Sequence, residues 1–488
     1  MLEKDNLMLG KSYESELESH VSQQKSAISL QNTVGNLLYT KGIELVFFRT
    51  NLVDTKTSEI LKLHEYSQQI GKPVDVELTA EMAKMIAENE IDNAKLDVGL
   101  LAYEWTQEGP NFSSKAEFLK DKLTKMRKPL PSQTRPGDAV LYGFGRIGRL
   151  VARELITQSG KGQHLRLRAI VIRQVDAESL KKRAALFKND SVHGAFAGTV
   201  EIDTSTNIMK VNGQCIQVIE AKNPEEIDYT KYGIKDALVI DNTGVFKDKE
   251  ALSRHLKSKG AARVLLTAPG KGVPNVVYGI NHHDVDADRD LITSAASCTT
   301  NAIAPVLKVI EDKLGVLKGH IETVHAYTND QNLLDNMHKK PRRGRSAAIN
   351  MVITSTGAAT AITKIIPSLE KKLTANGVRV PTPNGSLAIM NLTVGRETSV
   401  EEVNALVKDA ALHGPLVNQL NYQMEEELVS SDIIGNPCCS VFDSNATIVS
   451  DDKRNIVVYA WYDNEFGYTK QVIRLAKYAA NVRRSLYY

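Results

Sequence analysis

The sequence predicts an α/β domain built on a doubly wound, mainly parallel sheet, joined to an α+β domain with a mostly antiparallel sheet, and preceded by a mainly helical extension. Three observations predict this. The short apolar run Ala139–Tyr142 leads into a glycine-rich turn and then an amphipathic stretch, Arg149–Thr157, which is the order strand, turn, helix. Further apolar runs at Leu165–Ile172, Ala237–Asp241 and Arg263–Thr267 continue the pattern of buried strands joined by crossovers. Beyond residue 298 the rhythm changes, and runs such as Ala388–Val394 and Ile456–Trp461 suit strands of a more antiparallel sheet.

Taken in order, residues 1–128 are polar with helical periodicity. Leu30, Val34, Leu37, Leu38, Leu45 and Phe48 fall near helical spacing. Ala87, Ile91, Ala94, Val98, Leu101 and Trp105 recur at steps of four and three, which predicts one face of a single helix. Gly71 and Pro73 punctuate the region between. No catalytic spacing occurs there, so a packing module is expected, whose partner is unknown. Residues 129–137 lie in the proline-bearing run KMRKPLPSQTRPGD and are expected to be a linker. Residues 138–297 with 464–488 form the first domain of the body, and 298–463 the second.

The 488 residues allow two to four domains with sizeable cores. A composition of 42% hydrophobic and 24% charged residues excludes a disordered chain, and a net charge of +3 is too mild to argue for nucleic acid. The N-terminus lacks an apolar signal core, and no apolar stretch approaches the roughly 20 residues needed to span a bilayer. A cytoplasmic protein with no membrane or nucleic-acid partner is the expectation. The four cysteines, Cys215, Cys298, Cys438 and Cys439, form no CxxC pair and no Cys/His cluster, so no metal is expected. For three of them an unpaired thiol in a reducing compartment suffices.

The glycine turn is Gly143-Phe144-Gly145-Arg146-Ile147-Gly148. The first glycine permits a tight turn, the second lets backbone approach a pyrophosphate, and the third lets helix pack on strand; the helix N-terminus then offers N–H groups and a positive dipole end. A Rossmann-type dinucleotide-binding domain follows. An acid that would bind the adenosine ribose is expected about 20 residues on. The strand there is LRLRAIVIRQ, with Arg168 and Arg173 and no acid before Asp176. Either Arg173 accommodates a 2′-phosphate and NADP is used, or Asp176 or a backbone group serves the ribose and Arg173 faces solvent.

Ser297-Cys298-Thr299-Thr300-Asn301 precedes the apolar-periodic run AIAPVLKVIEDKL, which puts Cys298 at a helix start. The dipole field there favours thiolate. His325 lies in Thr323-Val324-His325-Ala326-Tyr327-Thr328, a strand running into a loop. A cysteine and a histidine from separate elements can meet as nucleophile and base.

Six runs, GFGRIGRLVARE, ASCTTN, VHAYTNDQ, TSTGAA, VRVPTPN and WYDNEFGY, together resemble the phosphorylating glyceraldehyde-3-phosphate dehydrogenase family, in its order and at roughly its spacing. The resemblance covers about residues 137–488 and leaves the first 136 unexplained. It implies that Cys298 attacks the aldehyde, that His325 moves the proton, and that phosphate then attacks a thioester to give 1,3-bisphosphoglycerate. It further implies that Thr328, Arg379 and Arg343 bind substrate and phosphate, with Ser297, Thr299, Thr356 and Gly357 at the attacking-phosphate site. Three arginines in PRRGR leave the register at Arg343 open. For the cofactor the resemblance implies Gly143, Gly145, Arg146, Ile147, Gly148, Thr243, Gly244, Thr267 and Asn464, the last at the nicotinamide amide.

Tyr142 stands where the family usually has asparagine, and Asn336-Met337 where NAD-preferring members have Leu-Pro. The implied cofactor is therefore NAD, with NADP possible, and the implied assembly a homotetramer serving glycolysis or gluconeogenesis. An erythrose-4-phosphate dehydrogenase, or a scaffold protein that keeps the enzyme fold, are the other readings.

Overall fold

The structure, a computed structural model, describes residues 13–91, 93–124, 136–158, 160–286, 289–482 and 484–488. The chain divides into two units: residues 1–135 with 158–164 and 483–488, and residues 136–157 with 165–482. Of the expected linker, residues 129–135 lie outside the described residues, and Gly137 already begins a strand.

The first unit is mainly helical. Helices Tyr13–Lys41, Thr57–Gln69, Val76–Glu88, Val98–Glu108 and Lys115–Lys122 surround a core that includes the fully buried Leu30, Ile60, Met82, Leu101 and Phe118. Each such side chain contributes about 1.5–3 kcal/mol by leaving water. The stretch Ala87 to Trp105 is not one helix, however. It is a helix end, a loop, the strand Ala94–Asp97 and a second helix. Extended backbone at Asn89 and a left-handed Asn93 (φ 52°) break the helix, and buried Asp97 caps the next one by accepting the N–H of Leu100 at 3.0 Å. The helical spacing arose because all four pieces bury a side toward one core. Leu45 likewise lies on a strand, Glu44–Phe47, after Gly42 (φ 67°) ends the first helix; Phe48 follows that strand with φ 40°.

These strands form a sheet in the order Thr50–Asn51, Glu44–Phe47, Ala94–Asp97, Ser485–Tyr487, with the last three parallel. The strand Ser485–Tyr487, expected in the dinucleotide-binding domain, therefore belongs to the first unit. Arg484 anchors it: Nη1 donates to Glu44 at 2.8 Å, and Nη2 donates to the carbonyl of Gly162.

In the second unit the first sheet runs Ile292–Ser294, Ala261–Leu266, Ala237–Asp241, Gly137–Tyr142, Leu165–Ile172, Gln214–Glu220, Ile208–Val211, Val200–Asp203. Its first six strands are parallel and the last two add an antiparallel flank. The chain crosses over between Gly137–Tyr142 and Ala237–Asp241, so a crevice opens past their carboxyl ends, at Gly143 and Thr243.

The second sheet runs Val352–Thr354, Leu373–Val380, Val316–Ala326, Ser386–Val394, Asn455–Tyr462, Ser440–Asp443, Leu420–Gln423. It is mixed but mostly antiparallel; Leu373–Val380 pairs in parallel with Val316–Ala326, and Leu420–Gln423 with Ser440–Asp443. Helix Cys298–Leu314 is buried nearly all round, which an apolar sequence on every face requires. Ile303, Val306 and Ile310 share a core with Met390, Leu392 and Val458 of the sheet.

Candidate active site

Cys298 is the first residue of its helix, and Ser297 caps that helix by accepting the N–H of Thr300 at 3.0 Å. The turn before it is strained: Ala296 has φ 55°, a left-handed conformation that costs a residue with a side chain of order 1–3 kcal/mol. Tyr468 holds that turn by donating its hydroxyl to the Ala296 carbonyl at 3.0 Å. From the second sheet, the strand Val316–Ala326 delivers His325 at its end, and parallel pairing sets Arg379 directly beside it.

Cys298 and His325 meet. Sγ lies 3.6 Å from Nε2. His325 Nδ1 lies 2.7 Å from the carbonyl of Ala326, a contact that calls for a proton on Nδ1 and leaves Nε2 as the bare nitrogen facing sulfur. Arg379 Nη1 donates to the Ala326 carbonyl at 2.9 Å and to Thr328 Oγ1 at 3.2 Å, and sits 3.0 Å from His325 Nδ1.

The thiolate that the helix start was expected to favour is opposed by burial. Burial pushes the Cys298 thiol up, and the Arg379 guanidinium and the Thr299 hydroxyl pull it back only in part. Burial, then the charge of Arg379, hold His325 down at about 3. Both groups are therefore neutral at pH 7.

The other expected anion-binding residues divide. Ser297 and Thr328 line a cleft of about 530 Å³ with Cys298 and His325. Thr299 Oγ1 lies 3.2 Å from Tyr462 Oη and 3.9 Å from Cys298 Sγ. Among the arginines of PRRGR, Arg343 reaches inward, pairing with Asp330 and donating Nε to Thr354 at 3.0 Å, whereas Arg345 pairs with Asp335 at 2.8 Å. Thr328 also donates to Asp330. Thr356 and Gly357 stand at the start of helix Ala358–Ile365 and are not in the cleft lining.

The expected cofactor residues fall in two regions of the second unit. Arg146, Ile147, Thr267 and Asn464 line the cleft beside Cys298. Gly143, Gly145, Thr243 and Arg173 line a crevice of about 320 Å³ at the sheet's crossover. Gly143 has φ 94°, and a Cβ on Gly148 would meet the Gly143 carbonyl at 2.6 Å, so helix and strand approach as the motif requires. Gly145 has no protein atom within 4 Å of where a Cβ would sit, room that a phosphate can enter. Lacking a side chain, it leaves the first-turn N–H groups for an anion. These features fit a dinucleotide. Gly244 (φ 66°) shapes the loop after Thr243.

Asp176 is committed elsewhere: it caps helix Ala177–Lys188 by accepting the N–H of Ser179 at 2.8 Å and accepts from Gln174 at 2.9 Å. Arg183 and Lys222 line the same crevice as Arg173, and no acid does. Sequence reasoning missed both, because they come from a helix and a loop that only the fold brings together. It also missed Glu465, which takes Arg146 and the imidazole of His193 at 3.0 Å, and Ser386, just past the quoted VRVPTPN run. All four cysteines are free; Cys215 is exposed, and burial pushes Cys438 up to about 11. No described helix is long and apolar enough to cross a membrane, and no acid, histidine or cysteine cluster among the described residues could hold a metal.

Comparison with known proteins identifies the family. Residues 138–249 match the family described as "Glyceraldehyde 3-phosphate dehydrogenase, NAD binding domain", and residues 297–464 match its C-terminal domain. A "Glyceraldehyde-3-phosphate dehydrogenase-like protein" of Pseudomonas aeruginosa is 47% identical over 454 residues, covering 92% of this chain and 98% of that protein. That alignment is longer than residues 136–488, so it takes in part of the N-terminal segment. The "Glyceraldehyde-3-phosphate dehydrogenase" of Zymomonas mobilis is 43% identical over 338 residues, covering 69% of this chain and 96% of its own. "Glyceraldehyde-3-phosphate dehydrogenase A, chloroplastic" of Zea mays is 41% identical, covering 70% and 82%. NAD is the cofactor of the matched dinucleotide-binding domain. The chain thus belongs to the glyceraldehyde-3-phosphate dehydrogenase family, as an oxidoreductase with a Rossmann-type NAD-binding domain.

Proposed function

We propose that this chain is a phosphorylating dehydrogenase that reversibly converts glyceraldehyde 3-phosphate and inorganic phosphate to 1,3-bisphosphoglycerate. The observation that carries this is the 3.6 Å approach of Cys298 Sγ to His325 Nε2 in a cleft also lined by Asn464 and Thr267. As sulfur adds to the aldehyde carbon, a C–S bond forms, the C=O π bond breaks, and the thiol proton passes by way of Nε2 to the former carbonyl oxygen. His325, once it has released that proton, removes the hydroxyl proton of the hemithioacetal as the carbon is oxidised. Bound NAD supplies the hydride acceptor for that oxidation. A phosphate oxygen then attacks the thioester carbon, the C–S bond breaks, and the sulfur recovers a proton from His325.

The neutral resting pair supports a specific role for the substrate. A phosphate bound at Arg379 and Thr328 offsets the guanidinium charge that holds His325 down, so the base gains proton affinity when substrate is present. The test is an absorbance assay of NADH formation with and without phosphate. Product formation that does not need phosphate would favour an erythrose-4-phosphate dehydrogenase-type hydrolytic reaction. Biological function unchanged in a Cys298→Ser protein would favour a scaffold.

NADP use has separate support in the crevice lined by Arg173, Arg183 and Lys222 without an acid, and in the engagement of Asp176 as a helix cap. The proposed assembly is a homotetramer. Leu333, Leu334, Met337, Ile349 and Met351 are exposed within one segment, apolar side chains that a subunit interface would cover. The proposed location is the cytoplasm, in glycolysis or gluconeogenesis, with direction set by metabolite ratios.

A further inference from the structure

A primary amide has a donor end and an acceptor end, and Asn464 could turn either toward the cleft it lines. Its backbone is fixed by Asp463. One oxygen of Asp463 accepts the N–H of Glu465 at 2.9 Å, the N–H of Phe466 at 2.7 Å and Nδ2 of Asn384 at 2.8 Å, and the other accepts the N–H of Gly435 at 2.8 Å. What remains free is the turn of the side-chain amide.

Ser386 removes that freedom. Its Oγ accepts the N–H of Ala326 at 3.0 Å and lies 2.9 Å from Asn464 Oδ1. Ser386 is fully buried, so no bulk water replaces either contact. Ala326 donates to Oγ, and the Ser386 hydroxyl donates in turn to Asn464 Oδ1. Asn464 Nδ2 has no partner among the described residues.

We infer that Ser386 is a positioning residue that locks the Asn464 amide so that Nδ2 donates to the carbonyl oxygen of the nicotinamide carboxamide. This rests on the reading that Asn464 meets the nicotinamide. The same hydroxyl holds Ala326, the neighbour of His325, so one buried Oγ sets the cofactor ring and the strand end carrying the base in register. Ser386 also touches the Tyr462 hydroxyl, which in turn meets Thr299. Action through Tyr462 is the competing route.

The experiment titrates NAD and ADP-ribose, which lacks the nicotinamide, into the full chain by calorimetry. It uses the wild type, Ser386→Ala, Asn464→Ala and the double variant. Asn464→Ala and Ser386→Ala are each expected to weaken NAD about tenfold and leave ADP-ribose within about twofold. The double variant is expected to bind NAD no more weakly than Asn464→Ala. Ser386→Cys, close in size but a weaker donor, is expected to fall between wild type and Ser386→Ala, and remains informative should the alanine variant fail to fold. Equal weakening of both ligands, unchanged NAD binding in Ser386→Ala, or additive losses in the double variant would overturn the inference. Should Asn464→Ala itself spare NAD relative to ADP-ribose, the nicotinamide reading of Asn464 falls and takes the inference with it. An effect in Asn464→Ala with none at Ser386 overturns the inference alone.

Discussion

Arg379 lies beside His325 across a parallel strand pair, with Nη1 3.0 Å from the imidazole Nδ1. The residue expected to hold a substrate anion is therefore also the one whose charge opposes protonation of the expected base. Anion binding and proton affinity are coupled through a single guanidinium, and the coupling can be measured.

The first prediction concerns stability against pH. His325 is held near 3 in the folded state and has an ordinary value near 6.5 when unfolded, so between those values the unfolded chain binds the extra proton. Stability is therefore complete above about pH 6.5 and falls as pH drops toward 3, by up to about 1.4 kcal/mol per pH unit from this group. Comparing urea midpoints at pH 7 and pH 5 for wild type and His325→Asn checks it. The variant is expected to lose less stability on acidification, and parallel losses would refute the assignment.

A second prediction follows from the guanidinium itself. Arg379→Gln removes the charge while keeping a donor, so the His325 titration should move upward from about 3. Inorganic phosphate should move it the same way in the wild type. The imidazole chemical shift reports both. A midpoint unmoved by either change would mean that burial alone holds the ring neutral.

Cofactor choice gives a third. Arg173→Ser and Lys222→Ser, each at the adenosine end, are expected to lower kcat/KM for NADP about tenfold and to leave NAD nearly unchanged. Steady-state assays with both cofactors decide. Equal losses for the two would show that these side chains hold a group the cofactors share.

The fourth tests the N-terminal unit. The Arg484 side chain is 3% exposed and pairs with Glu44 at 2.8 Å. Removing one partner of a buried pair typically costs about 3–5 kcal/mol. Arg484→Ala should raise amide exchange in Ala94–Asp97 and Glu44–Phe47 more than in Val316–Ala326. Uniform protection across these strands would show that the tether contributes little.

Much of the body was legible because its chemistry forces residue types. A tight strand-to-helix turn needs Gly143 and Gly148 where backbone crowds backbone, and alternating burial marks strands such as Ser386–Val394. The N-terminal unit was less legible. A four-residue strand, Ala94–Asp97, flanked by helices imitates helical spacing when every neighbour faces one core. At Cys298 the helix start is visible in the sequence, but the burial that pushes its thiol up is not. Partners such as Ser386 with Asn464, 78 positions apart, leave no local signal at all.

The parallel strand Ser485–Tyr487 has a consequence for biogenesis. Glu44 and Arg484 are 440 positions apart, yet they complete one small sheet. The N-terminal unit leaves the ribosome early, but Ala94–Asp97 keeps an unsatisfied edge until residues 484–487 have been translated. During that interval the nascent chain carries an exposed template for foreign strands, so demand for chaperone protection should be greatest while the intervening enzyme body is being made.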